Sequence, residues 1–137
     1  MSILTQAIYD KLSADATLVA LLADYRGGPA IFTTDPPPGD ATLPYIVSAG
    51  DVTQVPFDTK TTLGREVFRD VRCYAEADGS AVVVEEIAER VRELLHRQAL
   101  VVTGFVWFLA ECTGPWTADD DDAYGRIVTI RTMVEEI

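Results

Sequence analysis

The sequence predicts an α+β fold: one small domain, with a mixed, mainly antiparallel sheet packed against a central amphipathic helix and an N-terminal helical pair. Three observations predict it. Residues Arg65 to Ala75 alternate in the period-2 manner of a strand, with Val67, Val71, Cys73 and Ala75 apolar and Glu66, Asp70 and Arg72 between them. Val84, Ile87, Ala88, Val91, Leu94 and Leu95 then recur at helical spacing and fall on one stripe at about 100° per residue. Phe105 to Leu109 follow as an unbroken apolar run, the mark of a strand with both faces covered, and in so small a domain a neighbouring subunit is a candidate cover for one of them.

In chain order, Leu4, Ala7, Ile8 and Leu12 place an apolar stripe on a first helix. Ser13-Ala14-Asp15 interrupts it and caps a second short helical turn carrying Leu18, Leu21, Leu22 and Tyr25, which Gly27-Gly28-Pro29 stops. Ala30 to Thr34 reads as a short strand. Asp35 to Asp40 holds three consecutive prolines, which remove three donors and fix φ, so it is a stiff surface connection or, in a second reading, a polyproline recognition segment. Leu43 to Val47 opens a strand running to about Val55, and it forms an extended hairpin with the Arg65 strand.

The segment from Val52 to Gly64 is longer than the ~2–5 residues usual for a hairpin loop. Its polar residues bury little, yet Val55, Pro56, Phe57 and Leu63 give it apolar contact points. It reads as a projection that engages a neighbour; the competing reading is a mobile hairpin end without a partner.

Asp78-Gly79-Ser80 ends the central strand and offers the helix an N-cap, and Glu86/Arg90 and Glu93/Arg97 are spaced as i, i+4 ion pairs. Gly114-Pro115 ends the Phe105 strand. Asp119 to Asp122 form an acidic tip, and Val128, Ile130 and Val134 alternate in a last strand.

With 137 residues, a chain of this size buries roughly 68% of its unfolded surface, and 48% apolar with 24% charged residues is a globular composition. A net charge of −11 argues against the basic footprint of a nucleic-acid binder. Cys73 and Cys112 are too few and too far apart for a disulfide scaffold or a local metal motif, and they read as buried thiols. No signal peptide is evident, and no apolar run approaches the ~20 residues of a membrane helix. The expected compartment is the cytoplasm of the producing cell.

Motifs for chemistry are lacking. No Walker loop, GxGxxG or GxSxG elbow occurs, so no catalytic, cofactor or metal residue is assigned. The four aspartates lack the ligand spacing of a calcium loop and read as a solvated tip. His96 sits alone on the polar side of the helix end, without the positioned partners that general-base catalysis needs. Trp107 and Trp116 have no flanking cations and read as core or interface residues.

In this layout the chain resembles the phage tail-completion or tail-terminator proteins, found at the head-proximal end of a long tail. The likeness rests on "LTQAIYDKLSADATLVALL", "LPYIV", "FDTKT", "VFRDVRCYAEADGSAVVVEEIAERVRELL" and "GRIVTIRTMVEE", in that order over nearly the whole chain. Gene transfer agents use similar proteins. The resemblance implies a subunit that closes a ring, expected to be a homohexamer, stops tail-tube polymerisation and offers a docking surface for the head connector or adaptor. It implies the tail tube protein as a partner, duplex DNA passing through the lumen without specific binding, no membrane, and a final place in the particle tail. Val55, Phe57, Lys60, Leu63, Phe105 and Trp107 are the expected subunit or tube contacts. The competing functions are a small-ligand-binding or regulatory α+β domain and, more distantly, a metal-dependent hydrolase using Asp119 to Asp122.

Overall fold

The computed structural model describes residues 2–34, 36–48, 50–56, 58–60, 63–100, 102, 104–119 and 122–136. Two helices open the chain, α1 (Ser2–Ser13) and α2 (Ala16–Leu21). A two-stranded hairpin follows, β1 (Asp24–Tyr25) with β2 (Gly28–Pro29), and then β3 (Ile31–Phe32), β4 (Tyr45–Val47), β5 (Asp51–Pro56) and β6 (Gly64–Glu76). Helix α3 (Val82–Leu95) precedes the two long strands β7 (Phe105–Thr117) and β8 (Ala123–Glu136). The main sheet runs β3-β4-β6-β8-β7, with β5 beside β6; β3 and β4 are parallel and the other pairs antiparallel. The α+β architecture is as the sequence predicts.

Strand alternation decides which side of the sheet meets the helices. Val67, Val71 and Cys73 of β6 lie in register with Thr132, Val128 and Arg126 of β8, and this face packs on α3. Val84, Ile87, Ala88, Val91 and Leu95 of α3 are fully buried there, with Leu4, Ile8 and Leu12 of α1 and Leu18 of α2 closing the layer. Burying each of the Val, Leu and Ile side chains contributes about 1.5–3 kcal/mol. The opposite face carries Glu66, Phe68, Asp70 and Arg72, the other half of the alternation.

Several local expectations change. The strand expected from Leu43 to Val55 is two strands, because the backbone turns at Gly50 (φ +65°), a conformation glycine adopts without steric cost. Both pieces pair with the same edge of β6, Tyr45 opposite Tyr74 and Pro56 opposite Arg65. Arg69 faces the break. It lies in the helix-facing row yet is completely buried, and its Nη2 donates to the Ser48 carbonyl at 3.1 Å. Burial of a guanidinium requires such hydrogen bonding. Arg69 is therefore a buried member of a row that alternation alone reads as apolar.

Tyr25 leaves the helical turn assigned to it. Helix α2 ends at Leu21, and Arg26 (φ 49°) and Gly27 (φ 85°) form the tight turn between β1 and β2, the positive-φ pair such hairpins use. The Tyr25 ring instead packs edge-on against Phe32.

Strand β7 continues through Gly114-Pro115 to Thr117, with a register shift between Thr113 and Trp116. A strand admits proline at such a bulge. Glycine is required beside it, since a Cβ at position 114 (φ +96°) would lie 2.8 Å from the Ile127 carbonyl oxygen.

Helix α3 starts one residue later than its expected cap. Ala81 is the N-cap, while the Ser80 hydroxyl accepts weakly from the Val82 N–H at 3.4 Å. The expected i, i+4 pairs give way to others. Arg90 donates to both carboxylate oxygens of Asp15 at 2.7 and 2.9 Å and to Glu93 at 2.9 Å, and Arg97 lies beyond the helix in the left-handed region. Asp15 also caps α2 by accepting from the Leu18 N–H, so one carboxylate joins the N-terminal helices to α3.

The hydrogen-bonded Arg90 guanidinium holds the Asp15 carboxyl below its ordinary value. A carboxylate with a depressed folded-state value stabilises above its unfolded pKa of about 3.9, and this contribution disappears as pH falls through the folded value. Asp15→Asn keeps a good capping residue but removes the charge. The variant is expected to be less stable than the parent at neutral pH, with the difference closing below about pH 4, as thermal unfolding across pH will show.

Candidate functional site

The hairpin end of the sheet gathers most of the residues expected at a contact surface. Strand register brings them together: Pro56 opposes Arg65, Gly64 opposes Glu135, and Phe105 opposes Glu136. The turn thus lies beside the start of β7 and the end of β8. Backbone bonds anchor it, with the Glu136 N–H donating to the Leu63 carbonyl at 2.7 Å and the Gly64 N–H donating to the Asp58 carboxylate at 3.2 Å. The Arg65 guanidinium stands 5.5 Å from the Phe105 ring centroid, a cation–π contact. A shallow recess of about 290 Å³ opens between Gln54, Pro56, Leu63 and Arg65.

Of the expected contact residues, Val55 and Leu63 are 49% and 57% exposed, and Lys60 is exposed beside them. Phe57 lies outside the described residues. Phe105 and Trp107 share this end of the sheet but face the helix layer, half-buried against the core. The Trp107 indole Nε1 is buried there without a hydrogen-bond partner among the described residues.

Within the apolar run Phe105 to Leu109, Val106 points outward, 52% exposed, and beyond the register shift Leu109 pairs with Met133 on the same outer face. The run therefore has one covered face and one open face in the subunit, with the Phe108 side chain outside the described residues. Alternation was the available signal, because a residue between two core-facing aromatics must point away from the core. Val52 adds a further exposed apolar side chain at 59%. The hairpin end therefore presents Val55, Leu63 and Val106 among polar groups, and Val52 lies at the other end of β5.

The outer face of the sheet between these points satisfies its own charges. Arg131 pairs with Glu66 at 3.2 Å and Glu111 at 3.8 Å, and the Thr129 hydroxyl donates to Asp70 at 2.7 Å. Cross-strand partners of this kind set register.

Groups with chemical potential are taken up by structure. His96 is partly buried rather than exposed, and its Nδ1 accepts from the Cys112 N–H at 2.9 Å, tying the end of α3 to β7. Burial pushes the Cys73 and Cys112 thiols up to about 12 and about 11, which suppresses the reactive thiolate. Asp119 accepts from the Gly125 N–H at 3.1 Å and from Arg126 at 2.9 Å, so this exposed carboxylate is tied into the β7–β8 turn. Asp120 and Asp121 lie outside the described residues. No cluster of three or more His, Cys, Asp or Glu suited to a metal occurs among the described residues.

The described residues form a small α+β protein whose hairpin end exposes Val55, Leu63 and Val106. The chain belongs to the family described as "Tail completion protein gp17", whose model matches residues 6–135. Two solved structures resemble it in fold. A chain of the "Virion of native gene transfer agent (GTA) particle" has a TM-score of 0.80 at 22% identity, covering 96% of this chain and 94% of that one. The "Structure of bacteriophage SPP1 gp17 protein" has a TM-score of 0.57 at 23% identity, covering 96% of this chain and 88% of that one. No match is found among curated proteins. Family membership assigns the protein a structural role in tail assembly. Among the described residues no helix is long and apolar enough to cross a membrane.

Proposed function

We propose that the protein caps the head-proximal end of a tail tube as a ring of identical subunits, ends tube growth and forms the surface on which the head connector or adaptor docks. It acts without catalysis and without a cofactor. The observation that carries this reading is a family match from residue 6 to residue 135 in a chain whose hairpin end exposes Val55, Leu63 and Val106.

A cyclic ring uses head-to-tail contacts between two different patches of each subunit, closed by rotation. The hairpin end supplies one patch; Val55, Phe57, Lys60 and Leu63 contact the neighbouring subunit or tube, and Phe105 and Trp107 support that end from within. Six copies make the ring. At −11 per chain its charge disfavours adhesion of duplex DNA, which depends on basic groups displacing counterions, so DNA passes through the lumen unbound. Assembly takes place in the cytoplasm of the producing bacterium, and the ring remains in the particle tail.

Mixing purified protein with tail tubes and imaging them by negative stain tests the proposal. Rings seated on one end of tubes of limited length are expected. A protein that stays monomeric at high concentration and leaves growing tubes uncapped would overturn it.

A further inference from the structure

The end of the sheet opposite the hairpin carries a second exposed surface. Strand β6 runs from Gly64 at the hairpin to Glu76, and β8 returns from Ala123 to Glu136, so the two ends stand roughly 40 Å apart at about 3.3 Å per residue. At the far end the first turn of α3 exposes Val82 (57%) and Val83 (42%), and Trp116, opposite Ile127 in β8, is 55% exposed. Val84 takes the core position of that turn, so core packing does not account for the two valines before it. Helix propensity does not account for them either, since β-branched side chains lose rotamer freedom in a helix. Arg126 ties this end together, pairing with Glu85 of α3 at 3.3 Å and with Asp119 at 2.9 Å.

Charge is unevenly spread along the chain. Residues 76–86 and 115–127 hold eight carboxylates and one cation, Arg126, and so carry most of the net −11.

We infer that this end is the face that docks on the head side, against a protein surface rich in Lys and Arg, with Val82, Val83 and Trp116 at the apolar centre and carboxylates at the rim. The inference rests on the ring reading above and names the surface by which such a ring meets the head connector or adaptor.

Charge selects this occupant. Duplex DNA is disfavoured by its own phosphates. A second copy is disfavoured as well, because this end repels itself and the cations elsewhere on the chain stand among acids. Lys60 and Arg65 lie beside Asp58, Glu135 and Glu136, and Arg92 and Arg97 follow Glu89 and Glu93. Against a basic partner the same carboxylates speed association and reject wrong surfaces. Position agrees with charge: a protein that joins a tube to a head needs two faces turned apart, and the hairpin lies at the opposite end.

Joining of tails to heads in vitro tests it. Val82→Gln with Val83→Gln removes the apolar pair and keeps residues that a helix accepts. Glu86→Lys with Asp122→Lys reverses two exposed acids. The probe is DNA-filled heads from a producing strain that lacks this protein, mixed with tail tubes capped by the parent or by either double variant and counted by negative stain. Circular dichroism checks the fold of each variant. Both are expected to cap tubes as the parent does, while the fraction of capped tubes joined to heads falls roughly five-fold, as loss of central or rim contacts lowers affinity. Joining by the parent is expected to weaken as salt rises, because exposed charges are screened.

Parental joining by either folded variant, or joining by the parent that salt does not move, would overturn the inference and leave the ring reading standing. Loss of capping by a folded variant would put this end on the tube and overturn it too. Absence of caps from the parent protein would remove both readings.

Discussion

Replacing residues 57–63 with a single Asn, so that Asn-Gly64 joins Pro56 to Arg65, is expected to yield a folded protein that no longer caps tail tubes. Pairing of β5 with β6 persists up to Pro56 opposite Arg65, so the cut removes the turn without removing ladder pairs between these strands. Asn-Gly supplies the two positive-φ positions of a tight hairpin turn. The cost in the subunit is small. The Leu63 carbonyl loses the Glu136 N–H and the Gly64 N–H loses Asp58, about 1 kcal/mol each. Assembly loses Lys60 and Leu63 outright. Circular dichroism and thermal unfolding will report the fold, and counts of capped tubes will report function. Parental capping by the shortened protein would show that the hairpin makes no required contact.

Ile87→Ala carries the largest expected effect on stability. Ile87 is fully buried at the centre of the α3 stripe and belongs to the core shared by helix and sheet. Truncation removes the transfer free energy of three carbons and leaves a cavity the surrounding side chains fill only in part, for about 2–5 kcal/mol. Against the ~5–15 kcal/mol of an ordinary domain, this is a large fraction of the total. Urea unfolding should show a lowered midpoint with an unchanged slope, because the surface exposed on unfolding hardly changes. A loss under about 1 kcal/mol would mean that α3 packs less tightly on the sheet than its burial indicates.

The hairpin end shows how much of the candidate site was legible in the residues. Leu63, Val55 and Lys60 could be named because apolar and charged side chains stand out in a polar connection. The connection itself is shorter than expected: β5 runs on to Pro56, which pairs with Arg65, and β6 already begins at Gly64. Phe105 and Trp107 belong to this end of the sheet, but they face the helices, and Val106 is the residue left outside. That distinction required knowing which face of β7 meets the core.

Local chemistry determined the elements whose signal repeats within one stretch of chain. The α3 stripe, the alternation of β6 and β8, the breaks at Ser13-Ala14-Asp15 and Asp78-Gly79-Ser80, and the α+β class could all be read without a partner strand, because side-chain period follows from backbone geometry alone. Tertiary structure decided what depends on residues far apart. The break between β4 and β5 is coupled to Arg69, twenty-one residues from the Ser48 carbonyl it holds. Arg90 forsakes Glu86 one turn away for Asp15, seventy-five residues distant, because packing α3 against α2 places that carboxylate within reach. His96, on the polar side of the helix end, gains its partner only when the fold brings the Cys112 N–H beside its ring. Strand β7 passes Gly114-Pro115 because pairing with β8 resumes at Trp116 opposite Ile127. In each case a long-range hydrogen bond or ladder outweighs a local preference, and such partners are chosen only when the chain has folded.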